Sequence, residues 1–378
     1  MDATEEPMIR LDGVSKKFPD GTLAVAELDL GVREGELLCL VGPSGCGKTT
    51  TMKMINRLVE PTGGRILLQG EDVTEVDVRE LRRRIGYVIQ QVGLFPHQKV
   101  GDNVATVPKL LGWDKAKTKA RVEEMLDLVG LEPGTYANRY PAQLSGGQRQ
   151  RVGVARALAG DPPVLLMDEP FSAIDPIARG RLQEEFLRVQ ETVRKTIVFV
   201  THDTDEAVRL ADRIAVFKQG GVLEQMATPA DLLGSPASPF VADFVGSDRG
   251  LRRLSVTDID TQDLDKPPTV SADDTLAEAR LVMRAKFAIV LGPGGRLVGY
   301  VGAKRIDGDG TVADRMSRLP AAVYADNTLK DAMAEMLQHD AGWIAVLEPG
   351  TDRYLGVLTP LSLHAALRRS VENDLDTD

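Results

Sequence analysis

Leu37-Leu-Cys-Leu-Val41, followed directly by Gly42-Pro-Ser-Gly-Cys-Gly-Lys-Thr49, is the stretch that settles the architecture of this chain. The five apolar residues read as a buried strand, and a helix-patterned segment begins near Lys48. Between them the glycines let the backbone curl until successive N–H groups face one anion, where the helix N-terminus adds partial positive charge. The spacing G-x-x-x-x-G-K-[ST] in a strand, loop, helix context is a phosphate cradle, with Lys48 reaching the β and γ phosphates and the Thr49 hydroxyl suited to Mg2+. A Gly-rich turn with a chance lysine is the bland alternative, and the flanking strand and helix argue against it. Cys46, inside the loop, reads as a small side chain tolerated beside phosphate, with redox regulation as the second reading.

Working outward, Val164-Leu-Leu-Met-Asp168-Glu169 is a second apolar run, ending in two acids, and Ile197–Val200 is a third. Alternation of such runs with helix-patterned segments up to about Phe244 reads as α/β with a largely parallel sheet. The segments Met8–Leu11, Leu23–Leu30 and Arg65–Leu68 alternate more and predict antiparallel strands beside that core. Ligands of parallel sheets bind at the C-terminal strand edge, which is where Asp168 and Glu169 emerge. Asp168 is placed to hold Mg2+ through water and Glu169 to orient or polarise an attacking water. Leu144-Ser-Gly-Gly-Gln148 opens an Arg-rich helix pattern; Ser145 either caps that helix or serves a second anion cradle.

The chain has 378 residues, more than one ordinary core accommodates, so two or three domains are expected. Its net charge of −10 disfavours nonspecific binding of nucleic acid. Two cysteines, Cys39 and Cys46, cannot frame a chain of this size with disulfides, and the cytoplasm is the expected compartment. The N-terminal MDATEEPMIRL lacks the basic start and apolar run of a signal peptide, and no segment approaches the roughly 18–20 apolar residues of a membrane span.

From Gly246 to about Arg253 the stretch GSDRGLRR reads as a linker or a domain edge. The chain then repeats itself: VSADDTLAEARLVM at Val270–Met283 aligns without gaps on VYADNTLKDAMAEM at Val323–Met336, a period of about 53 residues. In each copy a helix opens on Thr275 or Thr328 with Glu278 or Asp331 placed to complete a capping box. The runs Phe287–Leu291 with Arg296–Val301, and Trp343–Leu347 with Tyr354–Leu358, predict paired strands, and a last helix near Leu361–Arg369 precedes an acidic tail expected to fray.

Taken together, the motifs up to Val245 resemble the ATP-binding subunit of ABC transporters. Walker A is Gly42–Thr49, the signature Leu144–Gln148, and Walker B Val164–Asp168. Gln90 in YVIQQ matches the Q-loop, Ser172-Ala-Ile-Asp175 the D-loop with Ile where Leu is usual, and His202 in VTHD the switch histidine. The resemblance implies a P-loop NTPase fold, an ABC ATPase cassette with an antiparallel β subdomain and a helical subdomain. It also implies ATP and Mg2+, with two subunits sandwiching two nucleotides head to tail and each signature facing the other subunit's Walker A. Carried over residue by residue, the catalytic set is Glu169, His202, Gln90 and Lys48, and the metal set Thr49, Gln90 and Asp168. The nucleotide set is Phe18, Gly42, Pro43, Ser44, Gly45, Cys46, Gly47, Lys48, Thr49 and Thr50, with Ser145, Gly146, Gly147, Gln148 and Asp175. Phe18 stands where the family stacks an aromatic ring on adenine; a ring filling the core near a turn is the alternative.

The repeat from Leu254 resembles a tandem CBS pair, an α+β module. Where many CBS halves carry Thr or Ser and, three residues on, a ribose-gripping Asp, this chain has Gly302 and Arg305 in one half and Thr359 and Ser362 in the other, which puts ordinary AMP or ATP binding in doubt. The expected layout is a cassette at residues 1–245, a linker at 246–253, the CBS pair at 254–370 and the acidic tail at 371–378. A cassette with a C-terminal CBS pair, and the stretch NVATVPKLLGW at Asn103–Trp113, resemble the importers of glycine betaine, proline betaine, carnitine and choline. That resemblance implies a homodimer at the cytoplasmic face of the membrane, with transmembrane permease subunits and a substrate-binding protein as partners. It also implies gating by ionic strength or by cyclic di-AMP at the CBS pair. An importer of another small solute, or a soluble ABC ATPase with a CBS sensor, stays open at this point.

Overall fold

The computed structural model describes residues 6–375 apart from 91, 92, 173 and 320. The chain divides into two compact units, Met1–Leu232 with Pro236–Phe244, and Leu233–Ser235 with Val245–Asp378. No helix among the described residues is long and apolar enough to cross a membrane.

The first unit is built on two sheets. One has six strands in the order Val222–Ala227, Arg213–Lys218, Leu37–Val41, Thr196–Val200, Val164–Asp168, Ile85–Val88. All its pairings are parallel except that of the first two strands, which is antiparallel. Leu37–Val41 and Thr196–Val200 are buried at every position, which is why they read as unbroken apolar runs. The other sheet, in the order Leu23–Val32, Ile9–Lys17, Gly63–Leu68, Glu71–Asp72, is antiparallel, as the alternating segments predict. Both sheets and the helix Lys48–Ile55 bury side chains in one core, among them Ile9, Leu28, Ile66, Leu40, Met52 and Met54. Between Ile85–Val88 and Val164–Asp168 the chain leaves the sheet for a helical region that includes Lys115–Leu128 and Gly146–Leu158. The family fold of cassette, antiparallel sheet and helical region is thus present.

Register fixes the functional edge. Met167 lies opposite Phe199 and Asp168 opposite Val200, while Leu40 pairs with Val200 on the other side of that strand. The end of Val164–Asp168 and the loop after Leu37–Val41 therefore open on the same edge of the sheet. Behind it Phe171, Phe186 and Phe199 meet with ring centroids 6.0–6.4 Å apart, a packed floor for the loops above.

The second unit holds two three-stranded sheets of identical pattern, Thr269–Ser271, Phe287–Leu291, Leu297–Gly302 and Ala322–Tyr324, Ile344–Leu347, Tyr354–Leu358. In each, the first pairing is parallel and the second antiparallel. The helices Leu276–Val282 and Leu329–Gln338 start on complete capping boxes, Thr275 with Glu278 and Thr328 with Asp331. The halves are cross-woven. Leu254, Ile259 and Leu264, which precede the first repeat, sit in the core of the second, and Asp265 exchanges backbone hydrogen bonds of 2.9 and 3.0 Å with Val357.

Two expectations are corrected here. Residues 246–253 are not a plain linker, because Arg249–Leu254 is helical and Leu254 is buried; Arg252 and Arg253 suit its last turn, where cations meet the helix dipole. The last helix runs over Pro360–Leu375, through most of the expected acidic tail, because that stretch contains no Gly or Pro to stop it. Asp376–Asp378 lie outside the described residues.

Candidate functional site

The loop Gly42–Gly47 needs glycine at two positions for reasons of space as well as conformation. A Cβ on Gly42 (φ 144°) would lie 2.2 Å from the Phe217 carbonyl oxygen, and one on Gly47 (φ 101°) 2.4 Å from that of Ala24. Pro43, Ser44 and Gly45 form the outer rim, with Ser44 and Gly45 exposed and the Ser44 carbonyl accepting 3.2 Å from Gln219 Nε2. Cys46 is fully buried in the core and stands 3.5 Å from Lys48 Nζ, in keeping with a small packing residue.

The helix Lys48–Ile55 begins with no side-chain cap and no acidic residue in its first turn. Its first N–H groups keep their capacity to bind an anion. Lys48 is 7% exposed and donates to the carbonyls of Gly42 at 2.7 Å and Pro43 at 3.0 Å, which folds its ammonium back over the loop. Thr50, half-buried, lies in the same first turn.

Thr49 Oγ1 donates to Asp168 Oδ1 at 3.1 Å, so a hydroxyl from the helix and a carboxylate from the strand converge beside the loop. Burial pushes the Asp168 carboxyl above its ordinary value of 3.8, with Glu169 adding to the rise and the Thr49 bond and the Lys53 and Lys48 charges opposing it. Glu169 follows with φ 45°, a left-handed backbone rare for a residue with a Cβ, pinned by its N–H to the Val200 carbonyl at 2.9 Å. Its carboxylate accepts from Gln90 Nε2 at 2.9 Å through one oxygen and stands 3.3 Å from His202 Nδ1 through the other. Gln90, Glu169 and His202 thus form one cluster at the sheet edge, and Gln90 is engaged with Glu169 rather than with Thr49 or Asp168.

The remaining candidates are spread more widely. Ser145 caps Gly146–Leu158 in a reciprocal box with Gln148, and Gln148 Nε2 reaches Tyr136 OH at 3.1 Å. Among the described residues, Ser145, Gly146, Gly147 and Gln148 make no hydrogen bond to the loop Gly42–Gly47 of the same chain. Asp175 caps Pro176–Val193 by accepting from Ala178 N at 3.0 Å, and Ala173 in the same motif lies outside the described residues. Phe18 is half-buried and outside the core, with Lys16 Nζ 5.3 Å above its ring.

Some supports escape sequence reading. Asp203 caps the helix Thr204–Leu210 and reaches Arg179 at 3.4 Å, which ties the loop of His202 to the helix that Asp175 opens. Arg156, on Gly146–Leu158, donates to the Gly93 carbonyl at 2.7 Å and anchors the segment after Gln90. An Asp directly after the switch histidine and before a helical pattern is a capping signal that would have found the first; nothing local marks the second.

Comparison with known proteins agrees with this geometry. The ABC transporter family model matches residues 25–172, and the CBS domain model matches residues 256–307 and 312–369. The chain is 45% identical to a glycine betaine/carnitine/choline transport ATP-binding protein of Bacillus subtilis, over 97% of this chain and 98% of that one. It is 46% identical to a choline transport ATP-binding protein of the same organism, over 94% and 95%. Among solved structures it is similar to the ATP-binding cassette MJ0796 in a dimeric post-hydrolysis state bound to ADP and Pi, with TM-score 0.53, 34% identity, and coverage of 59% of this chain and 99% of that one.

Proposed function

The chain belongs to the ATP-binding subunits of ABC transporters, within the quaternary amine importers whose subunits end in a CBS pair, and on that premise we propose that it powers uptake of an osmolyte such as glycine betaine, carnitine or choline. Its enzymatic activity is ATP hydrolysis coupled to transport. The observation that carries the solute class is extent: the likeness to an importer subunit for these solutes runs through cassette and CBS pair alike, over 97% of the chain.

The loop amides, the Lys48 ammonium and the unblocked helix start bind the phosphates of ATP, and Phe18 offers a ring face to adenine. Mg2+ fits Thr49 and Asp168, whose hard oxygens lie 3.1 Å apart; two protein oxygens rather than a full cage suit an ion that keeps waters and phosphate oxygens as its other ligands. When bound, it neutralises charge on the transferred phosphoryl group. Glu169 accepts from Gln90 through one carboxylate oxygen, has His202 Nδ1 3.3 Å from the other, and is the group to orient and polarise the attacking water. His202 contacts the γ-phosphate. Gln90 links this cluster to the membrane partner and, once turned from Glu169, to the metal.

Ser145, Gly146, Gly147 and Gln148 act on the nucleotide of a second copy, with Asp175 at the same joint, so ATP holds a homodimer closed until its γ-phosphate leaves. The dimer works at the cytoplasmic face of the membrane on transmembrane permease subunits, which receive solute from a substrate-binding protein. The CBS pair regulates that cycle, with ionic strength or cyclic di-AMP as the signal. The test is reconstitution of the chain with its membrane subunits and binding protein in vesicles, following labelled betaine, carnitine and choline. ATP-dependent uptake of at least one supports the reading; uptake of an unrelated solute alone overturns the solute class, and no ATP-dependent uptake overturns the importer.

A further inference from the structure

The second unit contains a cleft of about 1170 Å3 walled by both repeats and by the segment ahead of the first, which is comparable with, and somewhat above, the roughly 300–1,000 Å3 of small-ligand sites. Three aromatic rings meet in its wall. Phe287 opens the middle strand of one half and Trp343 immediately precedes that of the other; their rings stack 4.3 Å apart at 6°. Tyr300 stands edge-on to Trp343 at 5.6 Å and 84°. A stack serving only to glue the halves would be sealed from solvent, yet all three rings are half-buried and line the cleft.

The charges around these rings are specific. Asp265 is fixed twice, by its backbone pairing with Val357 and by accepting 3.0 Å from Thr359 Oγ1 through Oδ2. The Asp263 side chain, 7% exposed, faces Arg369 at 2.5 Å. Of the two cations lining the cleft, Arg369 is thus committed to a carboxylate, which leaves Lys286 beside Phe287. Asp263 is engaged in that same pair, so Asp265 and Lys286 remain, one charge of each sign. Ring faces beside a carboxylate favour a positively charged group that sheds water readily, which is the behaviour of a quaternary ammonium, and a betaine brings a carboxylate of its own for the lysine.

We propose that this cleft binds the cationic head of a small quaternary ammonium solute against Tyr300, Trp343 and Asp265, with the carboxylate of a betaine directed towards Lys286. The site lets accumulated solute act on the subunit that drives its entry. The identity of that solute as cargo rests on the importer reading; the chemistry of the cleft does not.

The chain has two tryptophans, Trp113 and Trp343, so the full-length protein carrying Trp113→Phe reports on Trp343 alone. Its emission is titrated with choline, glycine betaine and carnitine at fixed ionic strength, with sucrose as an osmotic control and cyclic di-AMP and AMP as competing classes. A saturable change with the ammonium compounds is expected, shifted by about ten-fold or more to higher concentration in Tyr300→Ala and in Asp265→Asn. Lys286→Gln should weaken glycine betaine and leave choline unchanged, a split that mere loss of folding does not produce. Saturation transfer from the bound ammonium methyl protons gives a second readout on the unsubstituted chain. A response no different from sucrose, or one saturated only by a nucleotide, overturns the proposal. Betaine uptake in reconstituted vesicles with a silent Trp343 sinks the cleft site and leaves the importer standing. A responsive Trp343 with no uptake does the reverse.

Discussion

Replacing Glu169 by Gln tests the chemistry with little disturbance of the structure. Glutamine is isosteric, keeps an oxygen to accept from Gln90 Nε2 at the 2.9 Å seen for the carboxylate, and keeps the left-handed backbone at φ 45° that the bond to Val200 enforces. What it loses is the charge and basicity that polarise water. A general base contributes about 10²–10⁴ in rate, or roughly 3–5 kcal/mol of barrier at 1.36 kcal/mol per decade. Phosphate release at saturating Mg-ATP should fall by that factor while ATP affinity by calorimetry changes less than about three-fold, and the ATP-bound dimer should accumulate in light scattering. A companion substitution separates chemistry from strain: Glu169→Gly loses turnover similarly but relieves a left-handed residue worth about 1–2 kcal/mol, raising the melting temperature by a few degrees. Retention of more than a tenth of wild-type turnover in Glu169→Gln would refute the assignment of this carboxylate.

Asp168→Asn makes a second split. Burial holds the folded pKa of Asp168 above its ordinary 3.8, so the folded state takes up a proton where the unfolded chain does not; stability from this group is present below 3.8 and is lost as pH rises through the raised value. At neutral pH the amide should therefore be at least as stable as the acid by thermal melting, with Mg2+-dependent hydrolysis reduced at least about 100-fold. Phe199→Ala opens the fully buried ring cluster under the site and should cost about 3–5 kcal/mol in denaturant unfolding of the first unit. Thr328→Ala removes the N-cap of Leu329–Gln338 and should cost about 0.5–2 kcal/mol, read as lower protection of that helix in hydrogen exchange, while Thr328→Ser should restore it.

Much of this molecule is written locally. Leu37–Val41 with the glycine loop, the alternation in Ile9–Lys17, and the Thr/Glu and Thr/Asp pairs of the repeat each carry their structure within a few residues, so strand, cradle and caps are legible. Contacts between distant segments are not. Gln90 meets Glu169 across 79 positions and Thr359 meets Asp265 across 94, and no periodicity encodes such closure. Ser362 illustrates the point: many CBS halves carry an acid there and this chain does not, yet a carboxylate does stand against Thr359, delivered from upstream of the first repeat. The helix within residues 246–253 is hidden for a related reason: Arg249–Leu254 is a charged run that ends on a leucine whose burial depends on residues of the second half.

That weaving of the two halves bears on how the module can be cut. Leu254, Ile259 and Leu264 complete the core built by Val323, Leu329, Ile344 and Leu358, and Ser317, beyond the first half's sheet, bonds back to Tyr300 at 2.8 and 2.9 Å. Scissors placed midway between the repeats would hand the downstream fragment a sheet without its closing segment and the upstream fragment three orphaned apolar side chains. Neither piece would be a smaller version of the whole, so growth of this unit by duplication left it indivisible, and any excision has to take both copies together with the lead-in from Arg249.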